Sequence, residues 1–298
     1  MSGTPTQTAS APALCNICRA RLLPLSGDKE ESNCPQCRSN VRMRAIVALL
    51  SREIYGVTIA VPDFPSMKSL RGMGMSDWPD LAERLTQKFD YVNTYYDRPP
   101  YFDITNPGKD RGLYDFILSS EVMEHVAPPV EKAFETLASL LKPNGLLIMT
   151  TPYKIGAKTA EHFPDLNESG LVKLGQQIVL INRRRDGTME TFEDLVFHGG
   201  VGATLEMRLF SKESLEQMLL AAGFSSVYFA AERWPDFGID RFEEWSLPIA
   251  ARMGNFRAPV DEITMSYVAL ERVRERHARA LGKLEWARRI ARRLGIKG

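Results

Sequence analysis

The sequence predicts an α/β fold built on a parallel sheet, and three observations carry that reading. Tyr114-Asp-Phe-Ile-Leu118 is a short apolar run ending in Ser119, Ser120 and Glu121, the pattern of a buried strand whose carboxyl end opens into a polar loop. Leu146 to Met149 is a second apolar run, entered through Pro143-Asn-Gly145 and closed by Pro152. Between them Val130, Phe134, Leu137, Leu140 and Leu141 recur at intervals of three and four, which makes one helical face apolar. Strand, helix and strand in that order form a crossover between parallel neighbours, and ligands bind outside the carboxyl ends of such strands.

The bulk properties set the frame. A chain of 298 residues, 44% hydrophobic and 25% charged, fits one main globular domain with attachments. A formal charge of +1 gives no global attraction to an anionic partner. No apolar run approaches the roughly 18 residues that span a bilayer. Residues 1–13, rich in Ser, Thr, Ala and Pro and without an apolar centre, read as a disordered lead and not a signal peptide, so the expected compartment is the cytoplasm.

All four cysteines fall in one window, Cys15-Asn-Ile-Cys18 and Cys34-Pro-Gln-Cys37, with fifteen residues between the pairs. Two Cys-x-x-Cys pairs so spaced bring four thiolates to the corners of a tetrahedron, which predicts a zinc ribbon over 14–40. Four protein ligands leave the metal no open position, so Zn2+ there is structural. Four independent thiols, or a redox pair, is the competing reading. Val41 to Tyr55 then follows with apolar positions 43, 46, 47, 50 and 54 on one helical face and Gly56 as its stop. Arg38, Arg42 and Arg44 at its start are either solvated charges or the mark of an anionic substrate or nucleic acid.

The string Ser119-Ser-Glu-Val-Met-Glu-His-Val126, followed by Leu141-Lys-Pro-Asn-Gly145 and a strand ending Thr150-Thr-Pro152, closely resembles the later motifs of class I S-adenosylmethionine-dependent methyltransferases. The likeness runs from about Val41 to about Arg252. It implies a doubly wound, seven-stranded, mostly parallel sheet with helices on both faces over residues 41–252, with S-adenosylmethionine as cofactor.

The resemblance also assigns roles along the chain. Gly72, Gly74 and Ser76 fall where the cofactor loop leaves the first strand, ahead of a helix with Pro79 in its first turn and Trp78, Leu81, Ala82 and Leu85 on one face. The chain departs from the family pattern here: Leu70 stands where an acidic residue is usual, and Ser76 replaces the third glycine. A plain turn is the alternative. Phe89 to Tyr96 reads as the second strand; at its end Asn93 and Thr94, with Asp97 just after, replace the usual acidic ribose ligand. Tyr101-Phe-Asp-Ile-Thr105 reads as a short strand, with Asp103 accepting from the adenine amino group and Ile104 against the ring, unless Asp103 is a surface-turn aspartate. Ser120 and Glu121 line the methionine portion, and His125 is a general base or orienting group near the reaction centre, or simply caps a helix or bonds a neighbouring carbonyl.

Beyond Lys154 the pattern loosens. Residues 153–202 read as a long irregular insertion forming the substrate wall. Phe197-His-Gly-Gly-Val-Gly202 is its most distinctive part and makes His198 a second catalytic candidate, or a loop residue without chemical role. A helix capped by Ser211 and stopped by Gly223 leads to a late strand over Phe224 to Ala230. Trp234 and Trp245 either close over a ring-shaped substrate or pack under a loop. The tail, 253–298, ends in a basic helix with ten Lys or Arg against three Glu between Glu271 and Lys297, suited to docking on its own domain, on a second subunit as in a homodimer, on phosphates or on an anionic membrane surface.

The sequence therefore points to methyl transfer onto an oxygen or nitrogen of a small molecule or sugar. Two alternatives stand beside it. An RNA-modifying methyltransferase would use the ribbon and tail to hold phosphates, and its affinity would fall with salt. A catalytically silent scaffold would bind cofactor poorly, as Leu70, Ser76 and the missing ribose carboxylate allow.

Overall fold

A computed structural model describes residues 13–22, 33–198, 204–240 and 247–256. Residues 1–12 of the expected lead, the middle of the ribbon, Gly199, Gly200, Gly202, Trp245 and the tail from 257 onward, with the expected basic helix, lie outside the described residues. Helix α1 (Val41–Tyr55) starts at Asn40, whose side-chain oxygen accepts from Met43 N at 2.9 Å, and stops at Gly56, φ 73°, whose N–H donates to Arg52 O. The alternating unit follows: β1 (Met67–Met75), α2 (Pro79–Lys88), β2 (Phe89–Thr94), β3 (Tyr114–Ser120), α3 (Glu131–Leu140) and β4 (Leu141–Thr150). Two short strands, β5 (Tyr153–Lys154) and β6 (Ala160–Glu161), lead to β7 (Glu168–Leu174), β8 (Gln177–Arg183) and β9 (Met189–Phe192). The chain closes through β10 (Phe197–His198), β11 (Thr204–Leu205), β12 (Arg208–Ser211), α4 (Lys212–Ala221), β13 (Ser226–Phe229) and β14 (Ile249–Arg252).

The main sheet has the order β13-β14-β4-β3-β1-β2. β2, β1, β3 and β4 are parallel, while β14 runs antiparallel to both β4 and β13. The mostly parallel sheet agrees with expectation, but among the described residues it has six strands and not seven. Tyr101–Thr105 is not a strand: Tyr101 makes one isolated bridge to Tyr95, and the Asp103 carboxylate then accepts from Thr105 N at 2.9 Å and Thr105 Oγ1 at 2.7 Å, which closes a turn.

Strand alternation assigns the two faces. Phe116, Leu118, Leu146 and Ile148 pack with Leu49, Leu50, Leu81 and Leu85 of α1 and α2, together with Cys15, Cys34 and Cys37. Met73, Met75, Ile117, Leu147 and Met149 point the other way, onto Phe134 and Leu137 of α3 and Leu215 and Leu219 of α4. Burial on both faces explains why β3 and β4 read as continuous apolar runs.

The insertion is more regular than expected. β7, β8 and β9 form an antiparallel meander, and Gly175, φ 66°, turns the first hairpin. Every residue of β7 is exposed, so no apolar alternation marks it in the sequence; β8 buries Val179, Leu180 and Asn182.

Candidate functional site

The chain reverses direction about β1: β2 lies on one side of it and β3 on the other, and the crevice beyond their carboxyl ends is a cavity of about 1040 Å³. Its walls include Ser76, Thr94, Asp97, Asp103, Ile104 and Glu121, and, toward β10 and β11, His125, His198 and Met207. Of the residues expected to bind cofactor, Ser76, Thr94, Asp103, Ile104 and Glu121 thus share one hollow, and both catalytic candidates line it.

Gly72, Gly74, Asn93 and Ser120 do not line it. The expected glycine loop is strand, because β1 runs on to Met75 and the turn begins only at Ser76, φ 58°. A Cβ at Gly72 would collide with the Phe116 ring, and one at Gly74 with Asp77 and Tyr91. The two glycines let neighbouring side chains cross β1 on the α1 and α2 face, where the Tyr91 and Phe116 rings stack with centroids 5.9 Å apart. Asn93 is engaged locally: its Oδ1 accepts from Asp77 N at 3.0 Å, and its Nδ2 donates to Asp77 O at 3.0 Å and Tyr95 Oη at 2.9 Å. It fixes the turn that presents Ser76. Thr94 donates its hydroxyl to Gly74 O at 2.8 Å, and Ser120 pairs its hydroxyl with Thr150 Oγ1 at 3.0 Å. Behind the turn Asp77 is buried against the Tyr91 hydroxyl, and burial lifts its carboxyl to about 7.

The loop after β3 carries the polar centre. Glu121 adopts φ 54° and its carboxylate meets Arg42 at 2.8 Å across the cavity, so Arg42 faces the hollow. Arg44, by contrast, is fully buried; its Nη1 donates to Ser39 O at 2.7 Å and its Nε to Phe237 O at 3.0 Å, which ties α1 to the cysteine segment and to residues 235–237. Met123–His125 is one 3-10 turn, held from below by Arg208, whose Nη1 donates to Met123 O at 3.0 Å and Val126 O at 2.6 Å while its Nε meets Glu161 Oε1 at 2.7 Å. Met207 N also donates to Glu124 O at 2.8 Å.

These straps set out four polar side chains. Glu124 is wholly buried; its Oε2 accepts from Thr151 Oγ1 at 2.9 Å, and burial, reinforced by the nearby Glu121, pushes its carboxyl up to about 8. His125 bonds Leu205 O through Nδ1 at 2.9 Å, and its Nε2 lies 3.2 Å from His198 Nδ1. Burial holds the His125 imidazole below its ordinary range. Glu206 then bridges His198 Nε2, at 3.0 Å, and His162 Nε2, at 2.9 Å. Neither Glu206 nor Arg208 was expected to have a role: Arg208 acts on Met123, Val126 and Glu161, and Glu206 joins His198 to His162, contacts between loops that no local pattern marks.

The cysteines converge separately. Their sulfurs lie within 4.8 Å of one another, with Cys15–Cys37 at 3.6 Å and Cys18–Cys34 at 3.4 Å. Each Cys-x-x-Cys turn ends in a left-handed arginine, Arg19 at φ 66° and Arg38 at φ 58°, whose N–H returns to the first cysteine carbonyl of its pair. Zinc–sulfur bonds of about 2.3 Å give tetrahedral edges of about 3.8 Å, close to these separations. The donor set fits a closed zinc site.

A family described as a methyltransferase domain matches residues 59–228, more than half of the chain. The chain belongs to the methyltransferase-domain family. It is thus a methyltransferase, and the matched span runs from just before β1 into β13. Among solved structures, the 1,6-didemethyltoxoflavin-N1-methyltransferase of Burkholderia thailandensis, with 1,6-didemethyltoxoflavin and S-adenosylhomocysteine bound, is 14% identical over 72% of this chain and 78% of its own, with a TM-score of 0.40. The sugar N-methyltransferase KedS8 of Streptoalloteichus is 12% identical over 77% of this chain and 96% of its own, also at 0.40. An S-adenosylmethionine-dependent methyltransferase of Clostridium acetobutylicum is 13% identical over 62% and 84%, at 0.36. At these values nothing about the substrate of this chain follows from theirs. No curated protein matches the chain. Among the described residues no helix is long and apolar enough to cross a membrane.

Proposed function

We propose that this methyltransferase takes its methyl group from S-adenosylmethionine and passes it to an oxygen or nitrogen atom of a small molecule or sugar. The observation that carries the reading is the meeting of Ser76, Asp103, Ile104 and Glu121 with two imidazoles around one cavity at the carboxyl ends of β1 and β3. In this reading Ile104 packs on the adenine, and Asp103, whose Oδ1 is engaged by Thr105, offers its other oxygen to the amino group. With Asn93 and Thr94 already bonded within the fold, Asp97 takes the ribose hydroxyls. Glu121 and Arg42 meet the ammonium and carboxylate of the methionine portion. The sulfonium then points toward His125 and His198, which mark the acceptor side; holding nucleophile, carbon and sulfur in line supplies much of the acceleration.

The four cysteines hold a structural zinc in residues 14–40, and Arg44 ties that unit to the catalytic domain of residues 41–252. Calorimetric titration with S-adenosylhomocysteine tests the reading. Wild type takes up one equivalent, and Ile104→Asp and Asp97→Ala each weaken binding by about tenfold or more, in line with a lost desolvated contact or charge-assisted hydrogen bond. No binding at about millimolar ligand, or affinity unmoved by both substitutions, defeats it.

A further inference from the structure

The acceptor end of the cavity holds an arrangement that the donor site does not need. A backbone carbonyl can only accept, so the 2.9 Å contact between His125 Nδ1 and Leu205 O places the proton of His125 on Nδ1 and leaves a lone pair on Nε2. The same logic holds for His198, whose Nε2 faces the Glu206 carboxylate at 3.0 Å and whose lone pair therefore sits on Nδ1. These two lone pairs face each other at 3.2 Å. Glu124 Oε1 points at the same spot, 3.7 Å from His125 Nε2, and is fully buried with no hydrogen-bond partner. Three electron-rich atoms thus converge within 4.8 Å of one another with no donor between them. Such a cluster needs a positive centre between its members, a metal ion or a shared proton.

We propose that Glu124, His125 and His198 bind a divalent first-row metal ion at the acceptor end of the cavity. Metal–nitrogen bonds of about 2.1 Å give ligand separations of about 3.0–3.4 Å, so the histidine pair is already at bonding distance and the carboxylate needs only a small inward shift. Each imidazole has its outer N–H held by a carbonyl or a carboxylate, the arrangement that orients metal-ligating histidines and raises their basicity. Glu206 is itself fixed by His162, and Glu124 by Thr151. Two imidazoles and one carboxylate leave open positions toward the hollow, which Glu121 also lines.

The site deepens the methyltransferase reading and rests on it for its use: the acceptor is one that offers a hydroxyl oxygen to the metal. Coordination lowers the hydroxyl's pKa, so its proton passes to solvent. The oxygen's electron pair forms the bond to the methyl carbon as the carbon–sulfur bond breaks, and that bond's pair goes to sulfur, which becomes a neutral thioether. The histidines, in this account, hold the metal and do not act as the base.

Mn2+ is the probe, because it favours oxygen and nitrogen ligands over the cysteine sulfurs. Titration of zinc-loaded full-length chain, followed by the electron paramagnetic resonance signal of free Mn2+, should show one bound ion per chain. His198→Ala, at a partly exposed position, and Glu124→Gln should each weaken it by about tenfold or more while circular dichroism and S-adenosylhomocysteine calorimetry remain as in wild type. No Mn2+ uptake at about millimolar concentration with S-adenosylhomocysteine either present or absent overturns the proposal, as does uptake that survives both substitutions; the cluster then shares a proton instead. Loss of S-adenosylhomocysteine binding in wild type refutes the donor site and leaves the metal measurement standing by itself.

Discussion

Asp77 offers a sharp pH test of how the turn before α2 is built. Its carboxyl is buried, accepts from the Tyr91 hydroxyl, and is raised by burial from 3.8 to about 7. The folded chain therefore holds this proton where the unfolded chain has lost it. Stability from this group is fully present below the unfolded value and falls as pH rises, levelling once pH passes about 7. At about 1.4 kcal/mol per pH unit, the whole change between the two limits is about 4 kcal/mol. Asp77→Asn keeps a hydrogen-bonding partner for Tyr91 and has no proton to lose. Urea unfolding of both proteins at pH 5, 6, 7 and 8 isolates the effect, since every titration they share cancels in the difference. The variant should gain on wild type by about 2–3 kcal/mol between pH 5 and 8, with most of the gain made by pH 7. Parallel stability curves across that range would show that Asp77 is ionised when folded, and the account of the turn would be wrong.

Gly74→Ala forces a Cβ into Asp77 and Tyr91, and should cost about 1–3 kcal/mol in urea unfolding, as overpacked sites do; an unchanged midpoint would mean that the crossing is loose. Arg208→Met removes the donors to Met123 O and Val126 O and strips Glu161 of its buried partner, a loss of about 3 kcal/mol or more by the same measurement. A strong zinc chelator should release one Zn2+ per chain and render residues 14–40 sensitive to protease, while S-adenosylhomocysteine still binds, because no cysteine lines the cavity. Metal-free chain with an intact, protease-resistant ribbon would contradict the zinc assignment.

Much of the fold was legible because its signals are local. β3 and β4 are buried on both faces and so read as apolar runs, and α1 and α4 carry the stop Gly56 and the cap Ser211 beside their periodic faces. What escaped depends on partners far away in sequence. The glycines of β1 resemble a ligand loop, yet Gly72 is small because of Phe116 and Gly74 because of Tyr91, which only the register of the sheet reveals. β14 is four residues long and antiparallel in a sheet expected to run mostly one way, and β7 is too exposed to leave an apolar pattern. In the site, Glu121 and His125 were singled out by the resemblance to the methyltransferase motifs, and His198 by the glycines that follow it. The convergence of Glu124, His125 and His198 was not, since it needs Arg208 and Leu205 to hold one loop against another.

The claim on which everything else depends is that the hollow beyond β1 and β3 is the donor site. A crystal structure of the chain with S-adenosylhomocysteine measures this directly. The account predicts the adenine beside Ile104 with its amino group on Asp103, and the sulfur on the side facing His125 and His198. Ligand bound at another surface, or a cavity still filled only with solvent at saturating ligand, would contradict it.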